Sequence, residues 1–384
     1  LDVELGNKYQ ALQAQVADFA KTEVAPAIAE LYERAEFPYE IVAKMGKLGL
    51  FGLPFPIAYG GAGLDSLALC LAVEQLATVD SSVAITLGAG VCLGAMPIYR
   101  FGTEGQKQTW LPRLCQGEVL GAFASTEPAT GSDISAVQTT ARREESCWVV
   151  NGVKAFITNS GTEVTGFVTV NASTGQRPDG RPLVSAIIVP ARTAGFRVSR
   201  SYSKVGWPCS DTNELTFSDC RVPLDNLLGE EGRGHALFLE ILVTGRVAVA
   251  ALGAGLARGC VDECLRYMSK RVVFGHKIAE FEALQFKLAD MEARAHVAHL
   301  AWLDAAQRLV AGQDAKKQAS IAKLVASDAA VKNARDATQI FGAYGFLNES
   351  PVGRFYRDAK ILEIGEGTSE IQRIIIAREL GLPA

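Results

Sequence analysis

The chain has 384 residues, 48% hydrophobic and 21% charged, which is enough apolar material for more than one core. A net charge of −4 gives no basic footprint for nucleic acid, and no apolar run is expected to reach the roughly 18 residues that a membrane span needs. The cysteines at 70, 92, 115, 147, 209, 220, 260 and 264 are scattered with no CxxC, a usage that fits reduced thiols and neither disulfides nor zinc.

The N-terminal stretch has an amphipathic, charged helical pattern and no signal-peptide core. Because the chain opens on Leu1, a start methionine or short leader is expected ahead of it. Residues 1–118 form a first, helical domain. Apolar spacing predicts a helix over 11–32, broken by Pro26, and further helices over 39–48, 65–77 and 81–101, with a Pro-Gly-rich passage over 49–63. Residues 119–231 change texture to short β-rich runs. Trp148 to Val150 leads through an Asn151-Gly152 hairpin turn into a run from Ala155 to Thr158. Val168 and Val170 alternate with Thr169 and Asn171, and Leu215 and Phe217 alternate with Thr216 and Ser218. Residues 232–384 return to helix, with long periodic runs over 235–271, 281–311, 316–341 and 369–380. Cys260 and Cys264 sit one turn apart in an apolar stretch and read as core. Ser369 and Gln372 have capping-box spacing, so the last helix is expected to begin at Ser369.

Several chemistries find no support. Gly88-Ala89-Gly90 and Gly253-Ala254-Gly255 lack the full GxGxxG and fall inside helical patterns, with no alternating βαβ order, so a Rossmann fold is not indicated. There is no Walker loop and no GxSxG elbow. His296 and His299 share a helix face without an acidic partner at ligand spacing, so no metal site is expected.

Three runs carry chemistry instead. Ile364-Gly365-Glu366-Gly367-Thr368 holds one glutamate between glycines just outside a helix N-terminus, where it could serve as a positioned base against a flat ligand. A solvated glutamate in a loop leading into a helix fits that run equally well. Phe123-Ala124-Ser125-Thr126-Glu127-Pro128 through Gly131-Ser132-Asp133 supplies hydroxyls and backbone N–H groups after a strand, the materials of a wall against a polar cofactor. Phe156 and Thr158 offer an aromatic face with a hydroxyl two positions on. Arg271, ending a helix before Val272-Val273-Phe274-Gly275, could grip a phosphate.

In this order and at these separations the motifs resemble the acyl-CoA dehydrogenase family along nearly the whole chain. The match runs from Thr126-Glu127-Pro128 and Ile157-Thr158-Asn159 through Cys209-Ser210-Asp211-Thr212 and Arg271 to Gly275. It continues with Gln339-Ile340-Phe341-Gly342 and Arg357-Asp358-Ala359-Lys360, and ends in Glu366 to Ile371. The resemblance implies an α+β fold with an N-terminal helical domain, a middle β-barrel-like domain and a C-terminal four-helix bundle. It also implies one FAD per subunit, in a homotetramer.

The implied reaction is α,β-dehydrogenation of an acyl-CoA thioester to a trans-2-enoyl-CoA. Glu366 would take the α-proton, and its backbone N–H would help hold the developing enolate oxygen. Some branched-chain relatives carry the glutamate immediately before the arginine matched here by Arg246. That position is Gly245, so only the Glu366 placement is filled. For the cofactor, Phe123, Ser125 and Thr126 are expected to line the flavin ring. Phe156 should cover the ring where many relatives have tryptophan, and Thr158 should follow its edge. Arg271 and Phe274 would reach a neighbouring subunit's FAD, Gln285 would also bind the cofactor, Gln339, Ile340 and Gly342 would meet the adenine end, and Thr368 and Glu370 would close the site. Ser132 and Arg246 match contacts to CoA, while Val243 departs from the aspartate of medium-chain relatives.

Gly365 stands where straight-chain relatives have tyrosine. With Gly88, Ala89 and Gly90 in the helix behind the acyl pocket, and Gly367 beside the base, it suggests room for a short, branched or bulky acyl group. Electron-transferring flavoprotein is the implied acceptor, in the bacterial cytoplasm or the mitochondrial matrix. A same-fold oxidase, a dehydrogenase acting on a carrier-protein thioester and a DNA-associated relative remain the alternatives.

Overall fold

The computed structural model describes residues 6–383, so Leu1 and anything ahead of it lie outside the described residues. Seven helices come first: α1 (Asn7–Phe19), α2 (Ala25–Arg34), α3 (Tyr39–Lys47), α4 (Ser66–Ala77), α5 (Ser81–Ala89), α6 (Met96–Phe101) and α7 (Glu104–Cys115). Pro26 does not break the first helical run. A π-turn over Ala20–Val24 precedes it, and the wider turn absorbs the missing N–H and the ring clash that a proline brings to an α-helix interior. The same device recurs at Gly90–Ala95, which joins α5 to α6 ahead of Pro97. Helix α7 goes beyond the sequence reading, because Pro112 inside it masks a helix that Thr103 and Gln106 start with a full capping box.

Strands β1 (Leu120–Ala124), β2 (Thr140–Arg143), β3 (Cys147–Thr158), β4 (Thr165–Gln176), β5 (Pro182–Pro190), β6 (Phe196–Ser201), β7 (Thr212–Pro223) and β8 (Leu227–Leu228) form one sheet. Its order is β6-β7-β3-β2-β4-β5-β8, with β1 added in parallel to β4. Residues from both halves, among them Trp148, Val150 and Phe217 on one side and Val168, Val170 and Ile187 on the other, close on a core of their own. The expected Asn151-Gly152 hairpin is not formed. Asn151 and Gly152 lie inside the single long strand β3, at a bulge against β7. Gly152 is at φ 148° because a Cβ there would sit 2.5 Å from the Thr139 hydroxyl. The Asn151 amide pairs with Asp219 in both directions, at 3.1 and 2.8 Å.

The last third holds α8 (Gly234–Met268), a small hairpin of β9 (Val272–Val273) and β10 (His276–Lys277), then α9 (Glu282–Val310), α10 (Lys316–Phe341), α11 (Pro351–Ala359) and α12 (Ser369–Glu379). Helices α8, α9 and α10 pack on one another, with α12 against α10 and α4 against α8. Asn333 of α10 ties the three together by donating to the carbonyls of Ala257 on α8, at 3.1 Å, and Met291 on α9, at 2.9 Å. His299, expected without an acidic partner, meets buried Glu74 of α4 at 2.8 Å, and the Trp302 indole donates to the same carboxylate at 2.9 Å. Cys260 and Cys264 are buried.

The three regions meet at Asp358 on α11. Its carboxylate accepts from the Tyr32 hydroxyl, the Ser81 hydroxyl and the Trp207 N–H, each at 2.7 Å. Asp80, also buried, caps α5 by accepting from the Val83 N–H at 2.9 Å. Two helices are, contrary to the sequence expectation, long and apolar enough to cross a membrane: Ser81–Phe101 and Gly234–Met268. Their apolar windows are 94% and 72% buried within the protein, so both read as core helices that are hydrophobic nearly all round.

Candidate active site

Glu366 lies in the turn between α11 and α12. The Gly365 N–H donates to the Ile361 carbonyl at 2.8 Å, after which Glu366 and Gly367 both take left-handed conformations, φ 57° and 88°. For glutamate that conformation costs about 1–2 kcal/mol, so neighbouring contacts must hold it. Helix α12 begins at Ser369 as expected, but its cap is Thr368, whose hydroxyl accepts from the Ile371 N–H at 3.3 Å. Gln372 consequently forms no capping box with Ser369. Its side-chain N–H₂ reaches back to the carbonyls of Gly367, at 2.9 Å, and Glu366, at 3.3 Å. Lys323 of α10 donates to the same Gly367 carbonyl at 2.7 Å.

The turn thrusts the Glu366 carboxylate inward. Its Oε2 is buried and has no hydrogen-bond partner, and the Glu366 N–H donates to no carbonyl among the described residues. The carboxylate looks along a narrow apolar cavity of about 10 Å³, the room of about one water. Small residues make up much of the wall: Ala84, Gly88 and Ala89 from α5, Cys92 from the π-turn, and Gly245 and Ala248 from α8. Gly245 is where α8 passes closest, since a Cβ built there would stand 3.0 Å from Oε2. Burial raises the affinity of Glu366 for a proton above the ordinary glutamate range, with Arg246 and then Lys323 opposing it. The Cys92 thiol, buried beside this carboxylate, is held well above the usual thiol range, first by burial and then by the Glu366 charge.

Gly88 and Ala89 stand in this wall as expected. Gly90 faces away, toward Phe51 and Leu120, and Gly365 does not line the cavity, since a Cβ there would point at the Ile361 carbonyl oxygen, 3.5 Å off. Arg246, expected at the CoA portion, is buried beside Glu366 with its Nε unpaired. Ser132 is exposed on the turn leading to a second, surface cleft of about 120 Å³, lined by Ser135, Arg177, Arg181, Pro182, Val184 and His235.

A second group of expected residues gathers where β1 and β3 run out. Phe123 is buried and stacks on Phe238 of α8, with ring centroids 4.9 Å apart. Ser125 accepts from the Asn171 side chain at 3.3 Å, and the Thr126 carbonyl accepts from the Ala155 N–H at 3.0 Å. Beneath the turn the Lys154 ammonium, fully buried, meets the Glu127 carboxylate at 2.8 Å and the Ser125 carbonyl at 3.2 Å. A second β3 bulge, between Lys154 and Ile157, puts Phe156 at φ 59° and aims its ring outward, 64% exposed and stacked on Tyr202 at 4.7 Å. Thr158 is half-buried, opposite Thr212. An outward-facing aromatic ring above half-buried hydroxyls is a donor set that fits a flat, polar-edged ring such as a flavin.

The remaining expected residues stand apart from that wall within one chain. Arg271 follows the end of α8 and is exposed, its guanidinium 5.7 Å from the Tyr344 ring. Phe274 sits at the tip of the β9–β10 hairpin, left-handed at φ 52° and 93% exposed. Gln285 on α9 is exposed and donates to the Ala279 carbonyl at 2.8 Å. Gln339, Ile340 and Gly342 end α10, with Gly342 at φ 60°. Glu370 lies in the first turn of α12.

Lys323 and Cys92 were not singled out as site residues by sequence, and Gln372 only as a helix-capping residue. The available signal for Lys323 was positional: it is the one cation on a buried face of α10 made of small residues, among them Ala319, Ser320, Ala322, Ala326, Ser327 and Ala330.

The chain matches the acyl-CoA dehydrogenase N-terminal domain over residues 7–118, the middle domain over 122–220 and the C-terminal domain over 232–381. It is 44% identical over 380 residues to a probable acyl-CoA dehydrogenase of Bacillus subtilis, covering 99% of this chain and 100% of that protein. Butyryl-CoA dehydrogenase from Megasphaera elsdenii superposes with a TM-score of 0.95 at 39% identity, over 99% of this chain and 100% of that one. A chain from the structure of the electron transferring flavoprotein of Acidaminococcus fermentans superposes with a TM-score of 0.96 at 41% identity, over 99% of both chains.

Proposed function

The chain belongs to the acyl-CoA dehydrogenase family, and we propose that it desaturates a short, straight acyl-CoA between the α and β carbons with Glu366 as the base. It is an FAD-dependent oxidoreductase. FAD, when bound, supplies the acceptor for the β-hydride.

The observation that carries the reading is the unpartnered, buried Glu366 oxygen facing an apolar cavity. A thioester α-proton is too weakly acidic for a carboxylate in water, so the site must raise the base's proton affinity and stabilise the enolate. Burial does the first. The Glu366 N–H, which donates to no carbonyl among the described residues, is available for the second. Proton removal also asks that the carboxylate be ionised before substrate arrives, which Arg246 and Lys323 favour.

The tightness of the cavity disfavours branched or cyclic groups, and the likeness to butyryl-CoA dehydrogenase supports a chain of about four carbons. Arg177 and Arg181 around the surface cleft, next to Ser132, are the cations we assign to the CoA phosphates, with His235, whose proton affinity burial and Arg177 lower, as a neutral neighbour. Phe123, Ser125, Thr126, Phe156 and Thr158 are assigned to the flavin ring. The protruding Phe274, with Arg271 three residues before it, and the exposed Phe346 after α10 support reach into a second subunit of a homotetramer. Electron-transferring flavoprotein is the proposed acceptor, a role supported by the likeness to a chain from such a protein's structure.

Glu366→Gln keeps the shape and removes the proton acceptor. The variant is expected to bind butyryl-CoA and perturb the flavin absorption as wild type does, while anaerobic bleaching slows by about 10²–10⁴-fold. Bleaching at the wild-type rate would reassign the base.

A further inference from the structure

Lys323 is an ammonium in a stripe of small residues, 0% exposed, on the middle of α10. Burying a charge in that setting is costly unless something uses it. Its hydrogen bond goes to the Gly367 carbonyl at 2.7 Å, the carbonyl directly after the base, in the turn where Glu366 sits at φ 57°. The remaining cavity wall is hydrocarbon and one thiol, so the carboxylate receives no hydrogen bond on Oε2.

We propose that Lys323 is the positioning residue for the base: its ammonium fixes the Glu366-Gly367 turn through the Gly367 carbonyl and supplies a counter-charge that keeps the Glu366 carboxylate ionised in an otherwise dry cavity. The proposal rests on Glu366 being the base. The charged and titratable groups around the turn are Arg246 on α8, Lys323 on α10, Cys92 on the π-turn, Glu363 before the turn and Glu370 after it. Of these, Arg246 and Lys323 oppose protonation of Glu366. Lys323 itself is pulled down to about 8 by burial, so it stays mostly charged at neutral pH. Gln372 shares the mechanical half of the role by donating to the same carbonyl, but it carries no charge. Removing the charge at 323 while leaving a donor therefore separates the two halves.

The test uses the FAD-loaded enzyme with acetyl-CoA in D₂O. Acetyl-CoA has α-hydrogens and no β-carbon, so NMR of its methyl exchange reads proton abstraction without flavin reduction. In Lys323→Met and Lys323→Gln the acid limb of the exchange-pH profile is expected to move up by about one pH unit, the low end for losing a nearby opposite charge. Lys323→Gln, with an amide donor one bond shorter and Gln372 still donating to the Gly367 carbonyl, should recover a plateau rate at high pH within about threefold of wild type, and Lys323→Arg should keep the wild-type limb. The Gln and Arg variants carry the test if the Met variant does not fold. A limb at the wild-type pH in the Gln variant, or a loss of the same size at every pH, overturns the proposal. Glu366→Gln is the control on which it depends: if that variant still exchanges acetyl-CoA at the wild-type rate, the base assignment fails first, whatever Lys323 does.

Discussion

Gly245→Ala adds one methyl at the point where α8 passes Glu366, the proposed base. The new Cβ would stand 3.0 Å from Glu366 Oε2 and 3.5 Å from its Cδ, inside the roughly 3.5–4.0 Å of comfortable contact. The atom it meets is the end of a flexible side chain, so the carboxylate yields by a few tenths of an ångström and the helix does not. Stability is expected to hold or rise, because alanine in a helix interior is favoured over glycine by roughly 0.5–1 kcal/mol. Proton transfer is the sensitive quantity: a misplacement of ~1 Å can cost ~10²-fold, so about a third to a half of that should cost about five- to tenfold. The assay pairs acetyl-CoA exchange and kcat/KM for butyryl-CoA with the thermal midpoint and FAD content of the same preparation. An unchanged exchange rate in a fully folded, FAD-loaded variant would refute the claim that Gly245 is small to seat the base.

Other substitutions probe separate parts of the molecule. Gly88→Val has room for its Cβ, which meets Val73 at only 3.8 Å, but its branches enter the cavity, so kcat/KM for butyryl-CoA should fall at least about tenfold with FAD content unchanged. Asp80 is pushed up to about 7, by burial first and then by Asp358. Its proton is held by the folded protein where the unfolded chain, near 3.9, has released it. That stabilisation is complete below about pH 4 and is lost as pH rises through about 7. Asp80→Asn keeps the capping oxygen for Val83 and abolishes the titration, so its melting temperature should exceed wild type more at pH 8 than at pH 5. Parallel curves would contradict this. Lys154→Met leaves Glu127 buried with its two backbone donors and no cation; a destabilisation of about 3–5 kcal/mol by chemical denaturation is expected, with faster FAD loss as the Ser125-Thr126 turn loosens.

The helix–sheet–helix order was legible because each region has its own periodicity, and the ordered motifs were enough to point at the family. The errors came from residues whose local meaning is set by a distant partner. Asn151-Gly152 has the composition of a hairpin, yet Asp219 and Thr139 make it a bulge within one strand. Pro26 and Pro112 look like helix breaks and are not, because a π-turn precedes one and the other lies in the last turn of a capped helix. Gly365 looked like pocket space when read against a tyrosine, but its direction depends on a turn closed on Ile361. Lys323 was invisible as a site residue since its partner is a backbone carbonyl 44 positions away, and a carbonyl leaves no trace in a residue alphabet.

The π-turn at Gly90–Ala95 separates two jobs along one continuous helical rod. Ahead of it, α5 shows Gly88 and Ala89 to the cavity; within it, Gly94 packs on β1 so closely that a Cβ would meet the Gly121 carbonyl at 2.5 Å. A helix advances about 100° per residue, so one residue gained or lost at this turn rotates everything on one side against everything on the other. The turn is thus a phase adjuster between cavity and sheet. Lineages that trimmed it to plain α-helix would swing the cavity wall by about a quarter-turn without altering a single wall residue, a route to new acyl selectivity that substitution scanning of the wall would not find.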